Sequence, residues 1–404
     1  MNILQFGVTL VTLLGLLVLA VPISRLTRLP TATVQVLLGA ISASLLISLG
    51  YDTGLRYQNF HDLVIYLFLP ILVFEAAYAL DVQKLQENIA PVLTLAIVGL
   101  LLTTGLVGVC VYFAIDHSSG FPWAAALLTG SLLAATDPAA VTAQLKLSSA
   151  PKTLAVLLEG ESLFNDATAV VLFTILLSLA LSFNAADPMT GAGPIENVLV
   201  DGLLIFGREF FGGVLLGGVI GFICITLIGY LDDTNTRHWL SVVAALGGYI
   251  LALELHVSGV LVCLVIGLLM AKYRRQEEDA LIWENWATTI NGVLFLLMGI
   301  TLTAAMFRER YLAMLIGIGA VVLARLLSVY VSLSWSGRLS NSDKLLISTT
   351  GMRGGITLAL ALTLPPELPY WWTIQSIAYG VVIFDLCLTA PIMPFIVRQL
   401  TTTK

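Results

Sequence analysis

The sequence predicts an all-α polytopic membrane protein, and its composition and hydropathy carry that prediction. Of the 404 residues, 58% are hydrophobic and only 11% are charged, whereas about 25% of residues in soluble proteins are charged. Long apolar runs recur from one end of the chain to the other, each close to the ~20 residues that a helix needs to span hydrocarbon. Short polar segments separate the runs. We therefore expect a single membrane domain over residues 1–404.

Hydropathy and turn residues predict about thirteen transmembrane helices. The first run has no basic residue before it, so we interpret it as a span and not as a cleaved signal peptide. The longest predicted loop, 184–201, is rich in Gly, Pro and Asp. In chain order, the predicted spans lie near residues 3–23, 31–49, 62–80, 90–115, 123–146, 153–182, 203–231, 238–254, 257–272, 285–306, 311–335, 344–364 and 371–397.

The basic residues predict the orientation in the membrane. With the N-terminus outside, most of the 19 Lys and Arg residues fall in inner loops or at the C-terminus. Cytoplasmic loops of membrane proteins carry an excess of Lys and Arg. This bias favours an orientation with the N-terminus outside and the C-terminus inside. The exceptions lie outside or within spans and are Arg56, Arg208, Arg308, Arg310, Arg325 and Arg353.

Other protein classes have little support in the sequence. The four cysteines lie in apolar runs, where small core residues are expected, and the four histidines show no HExxH spacing. A phosphate-binding Gly-rich loop ending in Lys is missing from the sequence, so no nucleotide drives the protein. We expect no cofactor, no enzymatic activity and no nucleic-acid partner. These cysteines and histidines are Cys110, Cys224, Cys263, Cys387, His61, His117, His238 and His256.

The span count predicts two inverted six-helix repeats. Spans one to six, about 3–182, would be repeated upside down by spans eight to thirteen, about 238–397, with a linker helix near 203–231 between them. The fifth span of each half is interrupted, by "ATDPAAV" at 135–141 and by "TGMRGGITL" at 350–358. In inverted-repeat transporters, broken helices at corresponding positions mark the ion site.

The first interruption predicts a cation ligand. Pro138 lacks an N–H donor and disfavours the helical conformation at Asp137. Unwound backbone at this depth leaves carbonyl oxygens beside the Asp137 carboxylate, and oxygens of this kind suit a bare monovalent cation. A simple proline kink with an acid bonded to a neighbouring helix is the alternative.

The stretch "LLEGESLFNDATAVVLF", 157–173, predicts the second ligand. Asp166 lies about 18 Å along the helix from the start of the span at Leu154, close to the midplane. Ser162 shares its face at i−4, and Asn165 can donate to a carboxylate and hold an unwound neighbour. A carboxylate in hydrocarbon is a functional candidate by default, although a structural role for Asp166 stays open. Glu159 is expected near the inner mouth.

Two buried arginines need partners. Arg325 is alone in the middle of a span, and Glu161 is the candidate for a structural ion pair with it. Arg353 lies in the second broken helix, where a cation offsets the dipole of a half-helix end. Glu75 in "FLPILVFEAAY" either lines the cavity or bonds across helices, and Asp385 in the last span is expected to be structural.

At these residues the sequence resembles the monovalent cation/proton antiporters, in the branch of the NhaP-type and NHE-type sodium/proton exchangers. The matching stretches are "FLPILVFEAAY", "ATDPAAV", "GESLFNDATAVVL" and "GMRGGITLAL". The resemblance implies an NhaA/NhaP-like antiporter fold, a homodimer and elevator-like alternating access. It also implies a role in Na⁺ and pH homeostasis.

The resemblance also implies roles for individual residues. Asp166 would be the main carrier of the proton and the cation, and Thr136 and Asp137 would help to coordinate Na⁺. Asp166 and Asp137 would thus form the transport site for Na⁺, with Ser162, Glu161 and Asn165 around them. Relatives with Asn before the carrier are generally electroneutral, so Asn165 suggests one cation for one proton.

Competition at the site gives the expected mechanism. Because metal binding to a carboxylate releases its proton, a sodium ion and a proton exclude each other, and each loaded state crosses the membrane. The empty ionised site is held back by its uncompensated charge in hydrocarbon. Potassium/proton or mixed-cation exchange is the close alternative; an intramembrane aspartyl protease and a channel are alternatives of other classes.

Overall fold

The computed structural model describes residues 3–48, 50, 61–115, 121–137, 145, 152–185, 195–231, 233–272, 278–335 and 339–402. Within these residues the regular structure is helical, with no β-strand. The helices are α1 Ile3–Thr27, α2 Thr31–Ser48, α3 His61–Ala79, α4 Val82–Glu87, α5 Ile89–Ala114, α6 Trp123–Ala134, α7 Lys152–Ala185, α8 Ile195–Ile228, α9 Thr234–Glu254, α10 Gly259–Lys272, α11 Glu278–Thr301, α12 Ala304–Ser332, α13 Asn341–Thr349, α14 Gly355–Leu362 and α15, which joins Trp371–Phe384, Asp385–Thr389 and Ala390–Thr402.

The predicted membrane architecture is confirmed. Seven of the described helices are long and apolar enough to cross a bilayer, and three shorter apolar helices accompany them: Thr31–Leu46, Trp123–Ala134 and Gly259–Lys272. Helices occupy the positions of all the predicted spans, but the number of thirteen crossings stays a prediction. The division into inverted repeats near 3–182 and 238–397 also stays one.

Two details of the sequence prediction were wrong. The helix α7 continues to Ala185 and α8 begins at Ile195, so the loop predicted at 184–201 is shorter, and its remainder, 186–194, lies outside the described residues. Helical periodicity in "IENVLVDGLL" extends α8 through Asp201 and Gly202.

Cys387 was expected in the core and is exposed, whereas Cys224 and Cys263 are buried and Cys110 is half-buried. An apolar run in a bilayer also has residues on its lipid-facing side, so hydrophobicity alone does not predict burial.

The helices pack in two groups around the site. The first group contains α5, α6, α7, α12 and α15. In the second group α2 packs against α11, and α10 packs against both α3 and α8. Gly130 lets α6 approach α5 closely, since a Cβ there would collide with the backbone of Thr104. The interrupted helix α6 is thereby held against an unbroken one.

Two helices are unwound in the interior, and their unwound segments meet. The α6 helix ends at Ala134 and continues as extended chain through Ala135–Asp137. The second break, Thr350–Gly354, separates α13 from α14. The interruptions expected in the fifth and twelfth spans are therefore present. Pro138, to which the first break was attributed, lies outside the described residues.

Candidate ion-binding site

The carboxylate of Asp166 faces the unwound end of α6. Ser162, one turn earlier on α7, donates a hydrogen bond from its Oγ to the carbonyl oxygen of Thr136. The same Oγ lies 3.5 Å from Oδ2 of Asp166. Because i and i+4 share a helical face, α7 presents this hydroxyl and this carboxylate together. Asp137, the next residue of the unwound segment, lines the same cavity as Asp166.

Asn165 fastens α7 to the end of α6. Its Nδ2 donates a 2.9 Å hydrogen bond to the carbonyl oxygen of Ala134 and lies 3.3 Å from Oγ1 of Thr136. The last carbonyl groups of a helix have no partner within the helix, so the amide satisfies one of them. Asn165 is only 1% exposed. Its Nδ2 also lies 3.3 Å from Oε1 of Glu161, so Asn165 links α7 to the unwound segment and to a carboxylate.

Glu161 forms the ion pair expected for Arg325. Nη1 and Nη2 of Arg325 each donate a 2.8 Å hydrogen bond to one carboxylate oxygen of Glu161. The two residues are 1% and 4% exposed, and the paired fork geometry is the strong form of this interaction. Glu161 is not among the described residues that line the cavity. Its position supports a structural role beside the acids that face the cavity.

Arg353 lies where helix ends leave carbonyl groups exposed. Its Nε donates a 2.9 Å hydrogen bond to the carbonyl oxygen of Leu133 near the end of α6, and its Nη1 donates to the carbonyl oxygen of Gly351. A cation at this position offsets the negative end of the α6 dipole. The sequence predicted Arg353 at a half-helix end of the second broken helix, and the structure places its guanidinium at the end of the first, α6.

A cavity of about 540 Å³ leads to the site and is rich in acids. Its described lining contains no Lys, Arg or His. Carboxylates in a cleft with low-dielectric walls raise the local concentration of cations. Glu75 and Glu159, whose roles the sequence left open, both line this cavity. The five acids of the lining are Glu75, Asp137, Glu159, Asp166 and Glu284, and its other polar residues are Thr136, Ser162, Thr288, Asn291 and Thr357.

The contribution of α11 to the cavity was not among the sequence predictions. Glu284, Thr288 and Asn291 all line the cavity, and their spacing of four and three residues places them on one helical face. Because these three polar residues share one face of α11, a test of each span for a polar stripe at this spacing could have found them.

The donors near Asp166 suit a cation in transit. They are carboxylate, hydroxyl and backbone carbonyl oxygens, the ligands that hard cations prefer. Among the described residues there is no group of three or more His, Cys, Asp or Glu that could hold a metal ion. The oxygen donors at Asp166 come from α7 and from the unwound end of α6.

A transmembrane protein with two broken helices crossing beside buried carboxylates is typical of secondary transporters. Residues 10–399 match the family described as sodium/hydrogen exchanger, transmembrane. The chain belongs to this family.

Named relatives lie in the same family. The chain is 30% identical to the Na(+)/H(+) antiporter ApNhaP of Aphanothece halophytica, over 99% of this chain and 75% of that protein. It is 28% identical to the Na(+)/H(+) antiporter NhaH of Halobacillus dabanensis, over 97% of each chain. The structure is similar to that of the sodium proton antiporter MjNhaP1 of Methanocaldococcus jannaschii at pH 8, with a TM-score of 0.80, 20% identity, and coverage of 98% of this chain and 99% of that chain.

Proposed function

We propose that the protein is a secondary active sodium/proton antiporter that exchanges one Na⁺ for one proton. The observation that carries this proposal is the meeting of Asp166, the Ser162 hydroxyl and the Thr136 carbonyl at the unwound end of α6. Relatives named as Na⁺/H⁺ antiporters support the choice of ions. Asp166 and Asp137 carry the cargo, and the oxygens of Thr136 and Ser162 complete the site.

Exchange follows from competition for the same oxygens. A bound cation stabilises the doubly ionised form of the Asp137–Asp166 pair, whereas one proton on the pair removes one negative charge and one of the cation's ligands. Asp137 and Asp166 line one cavity, and two carboxylates that interact strongly bind their protons as a pair. An empty pair would carry its charge into hydrocarbon, which is costly. Only the loaded states therefore cross.

The cavity fits one state of an alternating-access cycle. Its lining includes Leu80, Glu159 and Ala280, which lie toward the ends of α3, α7 and α11 that the basic-residue bias predicts to be cytoplasmic. Sodium would enter the structure from that side. We further propose a multi-pass protein of the cytoplasmic membrane, with the N-terminus outside, that acts as a homodimer in Na⁺ and pH homeostasis.

Electroneutral exchange is supported by the position of Asn165. Its amide donates a hydrogen bond to the carbonyl oxygen of Ala134. The side chain at this position therefore fastens the end of α6 and, being an amide, does not take up or release a transported proton. The exchanged charge then belongs to the pair of Asp137 and Asp166. Proton flux in proteoliposomes should therefore be independent of membrane voltage.

Proton flux under imposed Na⁺, K⁺ and Li⁺ gradients tests the proposal. Wild-type protein should show sodium-dependent flux, and Asp166→Asn should abolish it while preserving the unfolding temperature. Glu159→Gln is the matched control, because this acid lines the cavity on the same helix but lies about 10 Å nearer the mouth. Normal exchange by Asp166→Asn would contradict the carrier assignment. Flux driven by K⁺ alone would favour potassium/proton exchange.

A further inference from the structure

Asp385 connects the last long helix to the second unwound segment. Its carboxylate is 6% exposed. Oδ2 accepts a 2.8 Å hydrogen bond from the backbone N–H of Arg353, and Oδ1 accepts one of 2.9 Å from Oγ1 of Thr389. A π-helical turn, Asp385–Thr389, begins at this residue, and such turns are often found at functional sites. Asp385 is not part of the described cavity lining.

The backbone that Asp385 holds is the backbone that touches Asp137. Met352, directly before Arg353, accepts a 2.7 Å hydrogen bond from the N–H of Asp137 through its carbonyl oxygen. Gly354, directly after Arg353, lies against the Asp137 carboxylate, so that a Cβ there would collide with it. A shift of Arg353 would therefore displace both contacts to Asp137.

Asp385 is also the acid placed to balance the charge of Arg353. The guanidinium of Arg353 donates to carbonyl oxygens, and its Nη2 has no hydrogen-bond partner among the described residues. Glu161, the other buried acid near it, is bonded through both oxygens to Arg325. A buried charge without a counter-charge is strongly unfavourable.

Few other charges face Asp385. The helix α2 and the segment Trp371–Phe384, which pack against the π turn, contain no charged residue. Arg398, in the helical segment that follows the turn, is exposed. The charge that acts on Asp385 is therefore mainly that of Arg353.

We propose that Asp385 is a positioning residue for cation exchange, which orients the unwound segment through Arg353 and cancels the Arg353 charge near the ion site. This inference rests on the proposed function. Without the carboxylate, the charge of Arg353 acts on Asp137 and Asp166 and weakens the binding of cations and protons alike. The apparent KM for Na⁺ should then rise, and the pH at which exchange is half-maximal should fall.

The test is Asp385→Asn in proteoliposomes, with KM and kcat for Na⁺ measured across a range of pH. Asparagine keeps an oxygen acceptor for the Arg353 N–H but removes the charge. We expect KM to rise by about five- to tenfold, as for one charge acting through a partly screened interior, with a smaller change in kcat and a shift of the pH profile to lower pH. Asp385→Glu restores the charge and should return KM toward the wild-type value.

Thr389→Val is the matched control, because it removes one hydrogen bond to Asp385 and leaves the carboxylate charged. It should leave KM and the pH profile near those of the wild type. Unchanged KM and pH profile in Asp385→Asn would overturn the inference, and so would a loss of kcat alone that is equal in the Asn and Glu variants. Absence of exchange by the wild type would instead overturn the proposed function.

Discussion

The backbone N–H of Asp137 donates a 2.7 Å hydrogen bond to the carbonyl oxygen of Met352. The two residues belong to the two unwound segments, which are more than two hundred positions apart in the chain. This bond satisfies backbone groups that neither helix can satisfy by itself, as membrane-embedded irregular backbone requires. A movement of either segment is therefore transmitted directly to Asp137.

Close packing at Gly354 predicts that even a methyl group there blocks exchange. A Cβ on Gly354 would collide with the carboxyl group and the Cβ of Asp137, so rotation of the Asp137 side chain cannot relieve the contact. Gly354→Ala should reduce sodium-dependent proton flux by at least about tenfold, since small displacements at a site are costly. The measurement is flux in proteoliposomes containing equal amounts of folded protein.

Gly319→Ala provides the control for that substitution. Gly319 lies inside α12 and has no atom within 4 Å of the position that a Cβ would take. Alanine should be tolerated there, or stabilise the helix by about 0.5–1 kcal/mol. Equal flux in the two variants would contradict the proposed role of the Gly354 contact.

The Glu161–Arg325 pair predicts a large effect on stability. Glu161→Gln leaves the Arg325 charge buried without its partner, and such a change destabilises a protein by about 3–5 kcal/mol. The unfolding temperature of Glu161→Gln in detergent should fall. The double variant Glu161→Leu/Arg325→Met removes both charges and should regain most of the loss, because an apolar pair of similar volume is often as stable as the ion pair.

The exposed pair of Asp81 and Lys84 serves as the comparison. Lys84 donates to the Asp81 carboxylate at the start of α4 and holds the pKa of that carboxyl below its usual range. Exposed pairs contribute little to stability, so Lys84→Ala should leave the unfolding temperature unchanged. A Glu161→Gln protein as stable as Lys84→Ala would show that the buried pair is dispensable.

Competition at Asp166 predicts how sodium affinity depends on pH. Because a cation binds only the ionised carboxylates, the apparent KM for Na⁺ should fall as pH rises. The fall should be about tenfold per pH unit where the protonated form predominates, and KM should level off where the site is already ionised. Initial rates at several Na⁺ concentrations and pH values measure this relation. A KM that does not change with pH would exclude competition at a shared site.

Much of the site could be predicted from the sequence because buried charge is rare in membrane helices. Asp137, Asp166, Glu161, Arg325 and Arg353 stand out in apolar runs, where each needs a physical reason. The Arg325–Glu161 pair followed from the need to neutralise an arginine that keeps its proton.

Other contacts could not be read from the sequence. The pattern of apolar residues does not specify that the carbonyl oxygen of Met352 accepts a hydrogen bond from the N–H of Asp137. It also does not specify that the Asp385 carboxylate accepts one from the backbone N–H of Arg353. These contacts depend on helix packing across long separations in the chain. The cavity-facing stripe of α11 was missed because Glu284 lies just before the predicted span 285–306, whereas the helix begins at Glu278.

The sequence by itself determined the membrane class, the positions of the helices, both interruptions and the acids available to bind a cation. Hydropathy, helix-breaking residues and the cost of charge in hydrocarbon act locally, so they can be read along the chain. Only the tertiary structure showed which acids line the cavity, and it contains the Glu161–Arg325 pair that the sequence predicted. Glu161 and Asp166 lie five residues apart on one helix, and their different surroundings come from α12 and from the unwound end of α6.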